Sequence, residues 1–169
     1  MVDIASAPTY YPSGFLWMKV EQKGLRGSSA ARIDDKGRLK VPTVFRGVIR
    51  DQQGDDVFVT SVTGESVRIY PLATWLEIER KLLQMAANHP ARLKFLDRVN
   101  YFGQLSEFDS QGRVSLPPRL RSSAGMAGEV DVLGQVDYLE VWNHDRLLAK
   151  FDREPFNDDD AKALAEFGI

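Results

Sequence analysis

The chain has 169 residues, 43% hydrophobic and 27% charged, with no cysteine, two histidines and a formal net charge of −2. That length suffices for one compact domain or two fused halves, and the lack of cysteine removes disulfides, thiolate nucleophiles and most zinc sites. No stretch is apolar enough to span a bilayer, so the chain reads as soluble and cytoplasmic; an acidic pI near 5.7 by itself argues against a nucleic-acid partner.

Residues 1–23 hold no lysine or arginine before Lys19 and one short apolar run, Phe15 to Met18, which does not fit a signal peptide. Pro8, Pro12, Ser13 and Gly14 suit a loose arm, and Met18 is a second candidate start. The next stretch reverses the charge: between Lys23 and Arg50 eight basic residues face two acidic ones. Within it, Ile33-Asp34-Asp35-Lys36-Gly37-Arg38-Leu39-Lys40-Val41-Pro42 returns 75 positions later as Phe108-Asp109-Ser110-Gln111-Gly112-Arg113-Val114-Ser115-Leu116-Pro117. That is an internal duplication. In each copy the Asp carboxylate caps a tight hairpin turn, and Gly takes the positive-φ position without a Cβ clash. The strand that follows alternates, with Leu39 and Val41 against Arg38 and Lys40, then Val114 and Leu116 against Arg113 and Ser115. Pro42 and Pro117-Pro118 end these strands and open short helices, which Gly47 and Gly125 are placed to close.

Asp55 to Thr60 and Ser66 to Tyr70 read as paired strands, matched in the second half by Glu129 to Leu133 and Tyr138 to Trp142. Between the halves, Trp75, Ile78, Leu82 and Met85 recur at helical spacing; Thr74 and Glu77 fit a capping box, and a start two residues earlier fits as well. Asn88-His89-Pro90 breaks this helix and opens another, on which Leu93, Leu96 and Val99 form a stripe. After Trp142, Asn143 or Asp145 caps a further helix through Leu147, Leu148 and Phe151, with His144 in the preceding loop. From Asp152 to Asp160 five acids face one base, ahead of a short helix over residues 161–167, in a tail expected to be mobile. The predicted organisation is an arm (1–23), a first repeat (24–72), a helical hairpin (73–103), a second repeat (104–151) and an acidic tail (152–169).

The chemistry concentrates at the two turns. Arg carries a planar fork that meets guanine O6 and N7 together, and a two-stranded ribbon fits the DNA major groove, so Arg38 and Arg113 are the base-reading candidates. Gly37 and Gly112 beside them would let backbone approach phosphate. Lys36 and Lys40 are candidate phosphate contacts, with Arg32 and Arg26 weaker ones. The plain alternative is that each Arg pairs with its own Asp34 or Asp109 and only fixes the turn; the two readings are compatible. Arg46 and Arg121 lie on short helices, where capping a carbonyl or pairing with an internal carboxylate is the better reading than DNA contact. Trp75, Trp142, Tyr70 and Phe102 read as core or subunit interface rather than base-stacking platforms. Neither histidine lies near a Ser or Cys nucleophile motif, and the Gly-Arg turns lack the Lys-Ser/Thr pair of a nucleotide loop, so no enzyme, cofactor, metal or small-molecule substrate is expected.

Two Asp-x-x-Gly-Arg units in register, each running into apolar-x-apolar-Pro and then apolar-Arg, with Tyr70-Pro71-Leu72, Trp75 and Leu120-Arg121-Ser122-Ser123-Ala124-Gly125, resemble the MraZ family of bacterial transcription regulators. The likeness covers roughly residues 27–148. It implies a mainly β fold with helices: a duplicated AbrB-like double-split β-barrel whose repeats are related by a pseudo-twofold axis and joined by the helical hairpin. It further implies a nucleoid-associated ring homo-oligomer on double-stranded DNA, bound to G-rich direct repeats upstream of a division and cell-wall gene cluster. The rival reading is a protein-interaction ring that inhibits a partner such as a neighbouring methyltransferase. The long arm, the acidic tail and the less basic second turn, Ser110-Gln111, depart from the family pattern.

Overall fold

A computed structural model describes residues 24–169. The N-terminal arm and the candidate start at Met18 lie outside the described residues. In chain order the elements are β1 (Ser28–Arg32), β2 (Arg38–Lys40), α1 (Thr43–Gln53), β3 (Asp56–Thr60), β4 (Val67–Pro71), α2 (Leu72–Leu82), α3 (Pro90–Tyr101), β5 (Gln104–Glu107), β6 (Arg113–Ser115), α4 (Pro118–Ala124), β7 (Glu129–Gly134), β8 (Leu139–Asn143), α5 (His144–Arg153) and α6 (Asp158–Ala165). Among the described residues no helix is long and apolar enough to cross a membrane.

Six strands form an antiparallel sheet in the order β1-β7-β8-β4-β3-β5, and β2 pairs with β6 in a separate two-stranded ribbon. Exchanging the repeats in that list returns the same list reversed, which is the mark of a pseudo-twofold axis. Each repeat lends its first strand to the other: β1 pairs with β7, and β5 with β3. The repeats therefore interleave, and the fold is a duplicated double-split barrel. The Asp34–Arg38 turn is a tight hairpin tip, closed by the Asp34 N–H to Arg38 O bond at 2.9 Å and the Ile33–Leu39 bridge, but its ladder goes no further: β2 finds its ladder partner in the other repeat.

Strand alternation explains the core. Val57, Val59, Val67, Ile69, Val130, Val132, Leu139 and Val141 cover one sheet face, and Leu39 and Val114 from the ribbon meet them with Phe45 and Leu120 from α1 and α4. Leu39 and Val114 are 0% exposed, and burying each aliphatic side chain contributes about 1.5–3 kcal/mol, so the ribbon is pinned from beneath. On the opposite sheet face Phe58 and Tyr70 pack under Trp75 of α2 and Val99 of α3, with Phe95 stacked on Trp75. The helical hairpin thus roofs β3 and β4. The stripe of α3 is correspondingly Phe95 and Val99, while Leu93 points outward at 47% exposure.

Several local expectations are corrected. Gly47 does not end α1, which continues to Gln53 before Gly54 turns with φ 82°; Gly125 does end α4, with φ 62°. The Thr74–Glu77 capping box does not form: α2 begins at Leu72 after Pro71, and Thr74 Oγ1 instead reaches Gln53 Oε1 at 3.2 Å. His144 lies in α5 as its first residue, not in a loop, with the Asn143 side chain accepting from the Arg146 N–H. The tail's helix spans Asp158–Ala165, started by a reciprocal cap between Asn157 and Asp160.

Candidate nucleic-acid interface

The two turns are built alike, atom for atom. Asp34 Oδ1 accepts from the backbone N–H groups of Lys36 and Arg38 at 3.0 and 2.9 Å, and its Oδ2 accepts from Arg38 Nε at 2.8 Å. Asp109 repeats this with Gln111 N, Arg113 N and Arg113 Nε at 2.9, 2.9 and 2.7 Å. Gly37 and Gly112 close the turns at φ 75° and 77°. Hydrogen bonds to the charged form hold a carboxyl low. The Arg113 backbone N–H, reinforced by its side chain, brings Asp109 down to about 2, and the Arg38 backbone N–H lowers Asp34 in the same way.

Each clamp uses only Nε. The Nη pair of Arg38 and of Arg113 has no protein partner among the described residues, and the side chains stay 26% and 25% exposed. Both arginines stand on the β2–β6 ribbon, whose register sets Arg38 opposite Ser115 and Lys40 opposite Arg113. Because Leu39 and Val114 point inward, Arg38, Lys40, Arg113 and Ser115 share the outer face, with the two arginines as diagonal neighbours roughly 7–8 Å apart at Cα. Two further backbone bonds, Val41 N–H to Gly112 O and Leu116 N–H to Gly37 O, both at 3.0 Å, extend the ribbon into each turn.

The glycines answer to a different neighbour from the one expected. A Cβ at Gly37 would collide with the Arg121 guanidinium, and one at Gly112 would lie 2.8 Å from Arg46 Cδ. Both glycines are buried, so the space beside each turn is filled by an arginine of the other repeat rather than left open to a phosphate. Arg46 Nη2 also donates to Asp109 O at 3.3 Å, which makes it a carbonyl cap, but on the opposite turn instead of its own helix. Neither Arg46 nor Arg121 meets a carboxylate among the described residues, and the Nε of each is buried without a hydrogen-bond partner. The signal in the sequence that links both to the turns is their position, four residues after the strand-ending Pro42 and Pro117 in each copy.

Lys36 and Lys40 are exposed, at the turn and on the ribbon face respectively. Arg32 is exposed at the end of β1, one residue before the Ile33–Leu39 bridge and beside the ribbon, with Glu129 opposite it on β7. Arg26 turns back locally, its Nη1 donating to Gly24 O at 3.1 Å. Trp75 and Trp142 are buried inside the chain, 3% and 5% exposed, and belong to the protomer's own packing, while Phe102 is half-buried against the main core.

Paired strands exchanged between two repeats, each presenting an Asp-clamped Arg on a common ribbon, place this chain among the duplicated double-split barrels of the AbrB-like class. More narrowly, the chain belongs to the MraZ family: the family model described as "MraZ protein, putative antitoxin-like" matches residues 25–97 and again 104–167. The relative named "Transcriptional regulator MraZ" from Acidobacterium capsulatum is 48% identical over 85% of this chain and 99% of its own length. The relative of the same name from Koribacter versatilis is 43% identical over 85% and 99% respectively.

Proposed function

We propose that the chain is a sequence-specific regulator of transcription that lays the β2–β6 ribbon into the major groove of double-stranded DNA. One observation carries the reading: Asp34 and Asp109 hold their arginines by Nε alone, so each guanidinium keeps two parallel Nη donors for guanine O6 and N7. The carboxylate thereby fixes the reading geometry instead of competing with it. Lys36 and Lys40 contact phosphate, with Arg32 beside them, and supply the salt-dependent part of affinity. The two relatives, each named a transcriptional regulator, support the assignment.

One ribbon presents two arginines and few neighbours, whereas specific protein–DNA interfaces bury about 1,000–2,500 Å² of protein surface. A homo-oligomeric ring that repeats the ribbon in one sense meets that need, and its target is a set of G-rich direct repeats rather than an inverted pair. Location on the nucleoid, at a division and cell-wall gene cluster, is what membership of the MraZ family implies. Selection of bound sequences from random DNA tests it: enrichment of spaced G-rich direct repeats is expected, and retention of DNA with no sequence preference overturns it.

A further inference from the structure

The pseudo-twofold axis makes α5 and α6 the second repeat's counterpart of α2 and α3, since each pair follows the last strand of its repeat. Their fates differ. In the first repeat Phe58 and Tyr70 face each other across β3 and β4 and form an apolar floor on which α2 and α3 dock. At the matching cross-strand pair of β7 and β8 the residues are Asp131 and Trp142, and Asp131 Oδ2 is taken by His144 Nδ1 at 2.7 Å. Asp131 puts a carboxylate on that floor beside the buried Trp142, and α6 finds no seat on it. All of α6 is exposed, as are the flanking Phe156, Phe167 and Ile169 at 71%, 83% and 81%, with an open cleft between α5 and α6.

We propose that the tail around α6 docks on the tip of the α2–α3 hairpin of a second copy of this chain. Charge complementarity selects that occupant. From Asp152 onward six acids face two bases, whereas residues 81–96 at the hairpin tip carry Lys81, Arg92 and Lys94 with no acid, Arg80 being taken by Glu77 one turn earlier in α2. The tip also exposes Leu83 and Leu93, at 71% and 47%, to receive the tail's aromatic side chains. The ribbon face is basic too, but it presents Arg38, Lys40, Arg113 and Ser115 and no large apolar side chain. Hairpin and tail grow from opposite halves of the sheet, so their contact is head-to-tail between copies, the heterologous geometry that closes into rings. The docking gives the proposed ring its contact, yet it stands or falls without DNA.

The chain's lack of cysteine makes the test direct. A full-length L83C/F167C chain, oxidised under native conditions, is expected to give a ladder of disulfide-linked multimers, while L83C and F167C alone stop at dimers. Charge reversal by K81E/K94E is expected to abolish the ladder with the melting temperature unchanged, and adding D158K/D159K to restore it. A disulfide confined within one chain, or a tail that links to K40C on the ribbon in preference to L83C, overturns the proposal. So does a native-mass ring that gives no ladder, and that result leaves ring assembly and DNA reading standing.

Discussion

The side chain of Arg46 in the first repeat lies across Gly112 in the second, and Arg121 in the second lies across Gly37 in the first. Each reading turn is therefore shaped by the repeat to which it does not belong. Two short strands of three residues, with one clamp apiece, would be loosely held alone; reciprocal cover from α1 and α4 gives both turns the same shape. Arg46→Ala is expected to perturb the Asp109–Arg113 turn while sparing Asp34–Arg38, and Arg121→Ala the reverse. Amide chemical shifts of Gly112 and Gly37 check this; a disturbance confined to the variant's own repeat would count against it.

Gly37 and Gly112 carry both positive φ and a covering arginine, whereas Gly54 has φ 82° and open space at its Cβ. Ala at Gly54 thus meets backbone strain alone, about 1–3 kcal/mol. Gly112→Ala is expected to lower the urea midpoint further than Gly54→Ala, because Arg46 Cδ must also move. Equal losses would show that the arginine packing adds nothing.

Arg38→Ala and Arg113→Ala are each expected to cost about 1–3 kcal/mol of specific DNA binding while leaving non-specific affinity much less changed. Arg38→Lys is the sharper variant, since a lysine keeps the charge but loses the fork that Asp34 holds by Nε. It should bind DNA with a similar salt slope and reduced discrimination. Titration of operator against scrambled duplex reads both quantities; variants that melt early yet still discriminate would make these arginines structural.

The clamp predicts an acid-side dependence. Asp109 has a folded pKa of about 2 against 3.8, so its contribution is complete above the unfolded value and is lost as pH falls through the folded one. Asp34, also lowered, adds in the same direction. Between pH ~4 and ~2 the wild type should lose more stability than Asp109→Asn, whose turn no longer titrates. Denaturant melts across that window check it, and parallel pH profiles would remove the clamp's role.

His144 works with the opposite sign. Its hydrogen bond to Asp131 raises its pKa above 6.5, so the stabilisation is fully present below 6.5 and is lost as pH rises through the folded value. Asp131→Asn should lower the His144 titration midpoint and flatten the stability profile on that side, as followed by imidazole proton shifts. An unmoved midpoint would mean that the contact does not hold in solution.

The sequence alone determined the duplication, the Asp-clamped Gly-Arg turns, the strands and helices that follow each turn and the residues of the ribbon face, but not β1 and β5, the strands that each repeat lends to the other. All of these rest on local rules: a carboxylate capping its own turn, glycine at positive φ, and alternation that buried Leu39 and Val114 while leaving Arg38, Lys40 and Arg113 outside. What only the tertiary structure decided is which repeat each strand and each arginine serves. No local signal distinguishes β2 paired with β1 from β2 paired with β6, since alternation fixes a face but not a partner. Arg46 and Arg121 likewise read as helix-end residues until the strand exchange carries each across the axis onto the other turn. The same holds for the two ends of the sheet: Phe58 and Asp131 are single letters in sequence, and only their equivalent places on the outer face show why the first repeat seats its second helix and the second does not.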